Sequence, residues 1–193
     1  MNPLCQGLAM HNLFQLVLRS SYQNLPEVVR HFHEARLGHF EGEVEVSGSM
    51  GLLARLLRRL AGLPGPAARS AAVIKVLRSE VRERLLRQFG AAAFSTSLSR
   101  VHKQNLLRED YGLFTFFFTL SVREQQLRWQ CVGWSMAGIP LPDSLAPDVD
   151  AYEATDASGR LLFKMAIEMP GVGLLLGYEG WLTVVTARTV AAD

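Results

Sequence analysis

The sequence predicts an α+β chain, with N-terminal helices followed by a strongly curved antiparallel β-sheet or half-barrel. Three observations carry that prediction. Apolar residues recur at spacings of three and four over residues 11–37, the period of a helix with one buried face. From Phe94 onward the period changes to two, the period of a strand. The strands so marked follow one another through short turns without intervening helices, which implies antiparallel pairing.

The bulk numbers set the frame for those elements. At 193 residues, 49% apolar and 20% charged, residues 1–193 suit a single domain with a sizeable core. That apolar content excludes a disordered chain. Two cysteines, Cys5 and Cys131, exclude a disulfide scaffold. No run reaches the ~18–20 apolar residues of a membrane-spanning helix. The first twenty residues place no basic residue ahead of an apolar stretch, so they do not read as a secretory signal. A cytoplasmic protein with reduced thiols is the expectation.

Residues 1–10 read as a flexible tail. Residues 11–37 read as two helical pieces joined near Tyr22–Leu25. Leu13, Phe14, Leu16, Val17 and Leu18 belong to the first, and Val28, Val29, Phe32 and Ala35 to the second. Pro26 suits a first helical turn, Asn24 a cap, and Gly38 a stop. From 41 to 187 the chain reads mainly as sheet, interrupted by a helix at 50–63. Glu41 to Ser47 suits an edge strand whose charges discourage pairing. In the helix, Leu52, Leu53, Leu56, Leu57, Leu60 and Leu63 share a face, with Arg55, Arg58 and Arg59 opposite. A Gly62-Leu63-Pro64-Gly65-Pro66 breaker ends it.

Residues 71–89 fit either a helix or two strands, and periodicity alone does not decide. Beyond them Phe114, Phe116, Phe118, Leu120 and Val122 form one apolar face of a strand. Leu127, Trp129 and Cys131 alternate with Arg128 and Gln130. After the proline turn at 139–147, strands are expected around 151–154, 161–169 and 178–187, the first two joined by a Ser158-Gly159 turn.

Several runs in this order resemble one family. They are Leu25-Pro26 with Arg30-His31-Phe32-His33-Glu34-Ala35, then Arg87-Gln88-Phe89-Gly90 with Phe94 and Ser97. Next come Ile139-Pro140-Leu141-Pro142 with Leu145-Ala146-Pro147. The last are Ile167-Glu168-Met169-Pro170 and Tyr178-Glu179-Gly180-Trp181-Leu182. Together they make residues 25–183 similar to the bacterial domain of unknown function 4166. The resemblance implies strands for 71–89. Members are often fused behind NAD(P)-binding domains that look like dehydrogenases, so it also implies a separately encoded dehydrogenase-like partner. It carries over no catalytic residue, and Leu85 stands where members tend to have Trp. No Gly-x-Gly-x-x-Gly follows a strand here, so neither a dinucleotide nor any other cofactor is expected.

Candidate chemistry is sparse. His31 and His33 with Glu34 and His39 are the one cluster that invites a metal. Residues two apart on a helix diverge, so these read as surface residues and no metal is expected. Glu41, Glu43 and Glu45, and likewise Asp148, Asp150, Glu153 and Asp156, read as solvated carboxylates. Cys131 reads as core. No Ser/His/Asp arrangement can be assembled, so no catalytic residue is assigned. Charge is uneven: residues 50–110 hold twelve basic and four acidic residues, +8, against −6 for the rest. Mixed placement of those charges argues against nucleic-acid binding.

Arg87 shares a strand face with Leu85 and Phe89. Buried there, its guanidinium needs an acidic partner, for instance Glu168, or an anionic ligand head. The functional expectation is a non-catalytic module that holds an apolar or amphipathic small molecule inside the curved sheet. Phe114, Phe116, Phe118, Trp129, Phe163 and Trp181 would line an apolar cavity of ~300 Å³ or more, and Arg87 would anchor a polar head. The alternative is an accessory domain working with the dehydrogenase-like protein. For the helix at 50–63 the expectation is packing against the sheet, with a lid or contact with a membrane surface as alternatives.

Overall fold

Alternation of apolar and polar residues along ten strands builds one continuous wall, and the wall closes. The computed structural model describes residues 12–79, 82–101 and 104–188. The strands are β1 (Leu37–Ser47), β2 (Ala67–Arg78), β3 (Arg82–Phe89), β4 (Ala92–Val101), β5 (Leu106–Tyr111), β6 (Phe114–Arg123), β7 (Gln126–Met136), β9 (Asp148–Thr155), β10 (Leu161–Met169) and β11 (Gly173–Arg188). A two-residue strand, β8 (Ile139–Pro140), pairs with β7 alone. Strand order runs β6-β5-β4-β3-β2-β1-β11-β10-β9-β7, and β7 pairs back onto β6 from Phe114↔Met136 to Arg123↔Gln126. Every pairing is antiparallel.

This corrects the expected class. The chain is not α+β with an open or half-closed sheet; it is mostly β, a closed ten-stranded antiparallel barrel with three short α-helices. Hairpin alternation reports which neighbours in sequence pair. Closure depends instead on β1 meeting β11, with Phe40 opposite Val184, and on β7 meeting β9 across the proline turn. No local pattern encodes either contact. The same contact overturns the edge reading of residues 41–47, because β1 lies between β2 and β11. Phe40, Val44 and Val46 point into the barrel, while Glu41 and Glu45 stand exposed on the outer wall. β1 and β11 come unusually close at Gly42, where an added Cβ would overlap the Trp181 carbonyl oxygen.

Within residues 71–89, β2 and β3 pair antiparallel from Ala72↔Phe89 to Arg78↔Glu83, the strands the resemblance implied. The N-terminal segment is α1 (Leu13–Leu18), a 3₁₀ turn (Arg19–Asn24) and α2 (Glu27–Glu34). Asn12 and Gln15 close a capping box on α1. α2 stops at Glu34 and Gly38 already belongs to β1, so the helical region is shorter than expected. The expected tail at 1–10 lies outside the described residues.

These helices cover one end of the barrel, burying Leu13, Phe14, Val17, Leu18, Val29 and Phe32. Asn105, in the β4–β5 turn, donates to the Val17 carbonyl at 2.8 Å, and Arg78, at the end of β2, donates to the Ala35 carbonyl. The third helix, α3 (Leu52–Ala61), sits at the opposite end against β11 and stops at Gly62, whose φ of 66° suits glycine. No helix among the described residues is long and apolar enough to cross a membrane.

Candidate functional site

Strand β3 turns Glu83, Leu85, Arg87 and Phe89 inward, so alternation carries two charged residues into the core along with two apolar ones. Each charge finds an opposite one. Arg87 donates to Thr96 Oγ1 at 2.5 Å and to Glu109 Oε1 at 3.2 Å, and packs over the Phe94 ring at 5.6 Å. Glu83 meets Arg78 Nε at 2.7 Å, and Arg78 in turn lies over the Phe32 ring at 5.3 Å. The carboxylate that pairs with Arg87 is therefore Glu109, not Glu168, which is exposed on β10.

Glu109 is completely buried, and its second oxygen, Oε2, takes no well-formed hydrogen bond, although the Tyr111 hydroxyl lies close enough to interact with the carboxylate. Two phenols lie beside it. Tyr111 and Tyr178 both donate to the Met165 sulfur, at 3.5 and 3.3 Å. Burial pushes both hydroxyl pKa values up, and the nearby Glu109 charge pushes Tyr111 further. For Arg87, burial alone disfavours the charge, but Tyr178, Tyr111 and Glu109 more than reverse that and hold it above its usual value.

The second polar group comes from the helical cover. Val29, Phe32 and His33 occupy the buried face of α2, and the His33 ring stacks 3.6 Å from that of Phe14. His33 Nε2 lies 2.7 Å from Glu153 Oε2 on β9. A carboxylate opposite Nε2 calls for the proton on that nitrogen, which leaves Nδ1 as an acceptor when the ring is neutral. Nδ1 is buried and has no partner.

Between these groups lies a cavity of about 60 Å³. His33 and Glu153 line it together with Glu83, Arg87 and Glu109, and Phe14, Trp129 and Phe163 supply its aromatic walls. Its half-exposed lining residues, Tyr152, Glu153 and Lys164, all lie on β9 and β10, where the cavity comes nearest to solvent. Two expectations need correction. The cavity falls well short of ~300 Å³, the lower range for a ligand enclosed whole. It is also lined by charged groups, not by apolar ones alone.

Of the seven residues expected to form the site, Arg87, Trp129 and Phe163 line this cavity. Phe114, Phe116 and Phe118 point inward but are consumed by packing, against Trp134 (6.4 Å), Tyr111 (5.7 Å) and Trp129 (5.5 Å). Trp181 faces outward. Arg160 stacks 4.2 Å above its ring, and it lines a separate outer hollow of about 210 Å³ with Glu43, Glu45, Arg69 and Glu179. A one-residue change of strand face separates Trp181 from Tyr178 and Leu182, which do point inward.

Sequence reasoning missed His33, Glu109 and Glu153. The signals were present: Val29, Phe32 and His33 follow helical spacing, and Leu107-x-Glu109-x-Tyr111 and Val149-x-Ala151-x-Glu153 alternate on apolar faces. Among the described residues, no group of three or more His, Cys, Asp or Glu converges to hold a metal ion.

Comparison with known proteins adds one relationship. The family model described as Domain of unknown function (DUF4166) matches residues 25–182, which include both polar pairs and all ten barrel strands, β11 to Leu182. No curated protein matches the chain. A match over that much of the sequence shows that the chain belongs to this family.

Proposed function

We propose that the barrel binds a small amphipathic molecule, and that the ligand enters with a hydrogen-bond donor foremost. The observation that supports this is the pair of buried acceptors that take no well-formed hydrogen bond, His33 Nδ1 and Glu109 Oε2, on residues that line one cavity. A buried acceptor left unsatisfied costs about 1–3 kcal/mol, and a ligand N–H or O–H would recover it. About 60 Å³ admits a polar end of that size or a few waters. The apolar remainder would lie against Trp129 and Phe163.

Charge favours a donor over an anion. Two buried carboxylates, Glu83 and Glu109, and the half-buried Glu153 face two guanidiniums, Arg78 and Arg87. Carboxylates there outnumber guanidiniums by one. Lys164 does not offset this, because its ammonium pairs with Asp150 on the outer side at 2.8 Å. An anionic head would add to the excess, and both terminal nitrogens of Arg87 already donate, one to Thr96 and one to Glu109. An alcohol, amide or amine fits better.

Native mass spectrometry of protein purified from its own cells is expected to show a mass above that of the chain, lost on denaturation. Finding the bare chain mass alone would defeat the reading. In a thermal-shift series, short-chain amines and alcohols are expected to raise Tm more than carboxylates of the same skeleton. The reverse order would remove the donor assignment while leaving the cavity.

A further inference from the structure

The barrel end that carries α3 is built inside out. The face α3 turns inward consists of Ala54, Arg58 and Ala61, all buried. Four of its five leucines face solvent: Leu52 is 82% exposed, and Leu53, Leu56 and Leu60 about half, while Leu57 is half-buried against the core. The helix cannot simply roll to hide them. Arg58 donates to the Leu175 carbonyl and to the Ser49 carbonyl, both at 2.9 Å, which fixes the roll from both sides. A Cβ added at Gly112 would lie 3.3 Å from the Ala61 carbonyl oxygen, so the β5–β6 turn packs against the C-terminal end of α3. Leu113 in that turn and Ile139, the first residue of β8, are exposed as well. Contiguous apolar surface of this kind marks a contact site.

Charge identifies the occupant. From Val46 to Ser79 the chain has no acidic residue, and the exposed Arg55 and Arg59 stand among the leucines of α3. Two copies docked face to face would bring these arginines together with no carboxylate on either helix to receive them, so a second copy fits poorly. The barrel walls also expose Leu37, Leu77 and Leu86, but there charged Glu41, Lys75, Arg84 and Arg108 stand between them, whereas the leucines of α3 lie on one helix. A short helix with leucines on its outer face and arginines among them matches an anionic bilayer, with leucines at the acyl boundary and guanidiniums at the phosphates.

We propose that the α3 end of the barrel docks on an anionic lipid surface through Leu52, Leu53, Leu56 and Leu60, with Arg55 and Arg59 on the headgroups. The test is co-flotation of the full chain with vesicles of phosphatidylcholine alone or mixed with phosphatidylglycerol. The chain is expected to float with the mixed vesicles, to do so less as salt rises, and to remain behind with phosphatidylcholine. L52Q/L56Q is expected to lower partitioning about 100-fold or more. R55Q/R59Q should lower it about 30-fold and remove most of the salt dependence. All four positions are exposed, so thermal melts should match those of the unsubstituted chain. Failure to float with either vesicle, or flotation indifferent to both double substitutions, overturns the proposal. So does a dimer in light scattering that L52Q/L56Q dissolves, because the surface would then be a protein interface.

Discussion

The two ends of the barrel are closed by helices of similar amphipathicity and opposite orientation. At one end α2 turns its apolar face inward, and Val29 and Phe32 disappear into the core. At the other, α3 keeps four of its five leucines outside and buries an arginine between two alanines. The contrast shows that an apolar stripe identifies a face destined to leave water, not the partner it leaves water for. At the α2 end the partner is the chain itself. At the α3 end small side chains let the helix lie close to β11, and Arg58 supplies donors for two carbonyls that the strand ends leave open.

Mutations can break or sharpen this contrast. The largest effect is expected from Glu109→Ala, which strands a buried guanidinium inside the barrel and should cost about 3–5 kcal/mol in urea unfolding. Replacing both partners, Arg87→Met with Glu109→Leu, should return most of it. That pair of results sets the scale for a charge buried in the interior.

Phe14→Ala, at the covered end, should also cost about 3–5 kcal/mol by the same measurement, because the ring is 1% exposed and stacks on His33. Arg58→Met comes next, at about 1.5–3 kcal/mol, since two carbonyls lose charged donors where the arginine is 4% exposed. A loss as large as that of Glu109→Ala would mean that Arg58 belongs to the interior and not to the rim.

Alkaline titration probes the covered end through Tyr22, with Tyr111 and Tyr178 contributing from the interior. Tyr22 is buried there, and burial raises its phenol pKa well above normal, with Glu34 adding to the shift and Asn12 opposing it. Below pH about 10 folded and unfolded chains are both protonated at this group, and its contribution is intact. Above that the unfolded phenol ionises while the folded one does not, so stability falls by up to about 1.4 kcal/mol per pH unit. Tyr22→Phe should flatten that part of the stability profile. The smallest effect is expected from Leu52→Ala, within about 0.5 kcal/mol of zero. A cost near that of Phe14→Ala would make the two ends alike and erase the contrast.

Much of the wall was legible in the sequence. Phe114 to Val122 and Leu161 to Met169 declare their strands by alternation, and Pro64 and Pro66 declare the end of α3. What escaped notice was of two kinds. Ring closure joins β1 to β11 and β7 to β9, and no short window contains both partners. Inward charges were the other kind: Glu153 reads as a solvated carboxylate and Glu109 draws no reading until His33 and Arg87 stand opposite them. Arg87 itself was legible from its apolar neighbours Leu85 and Phe89. Trp181 was misplaced because an aromatic residue in a strand beside a barrel core has no local mark of which face it takes.

The seam between β1 and β11 has a consequence for biosynthesis. The ring joins β1 to β11, the first and last of its strands in sequence, so it stays open until β11 has been synthesised. Until then β1 and β10 each present an unpaired backbone edge to the cell. A chain truncated ahead of residue 173 would keep both edges permanently, and its fate would be decided by chaperones, proteases and aggregation rather than by a modest loss of stability.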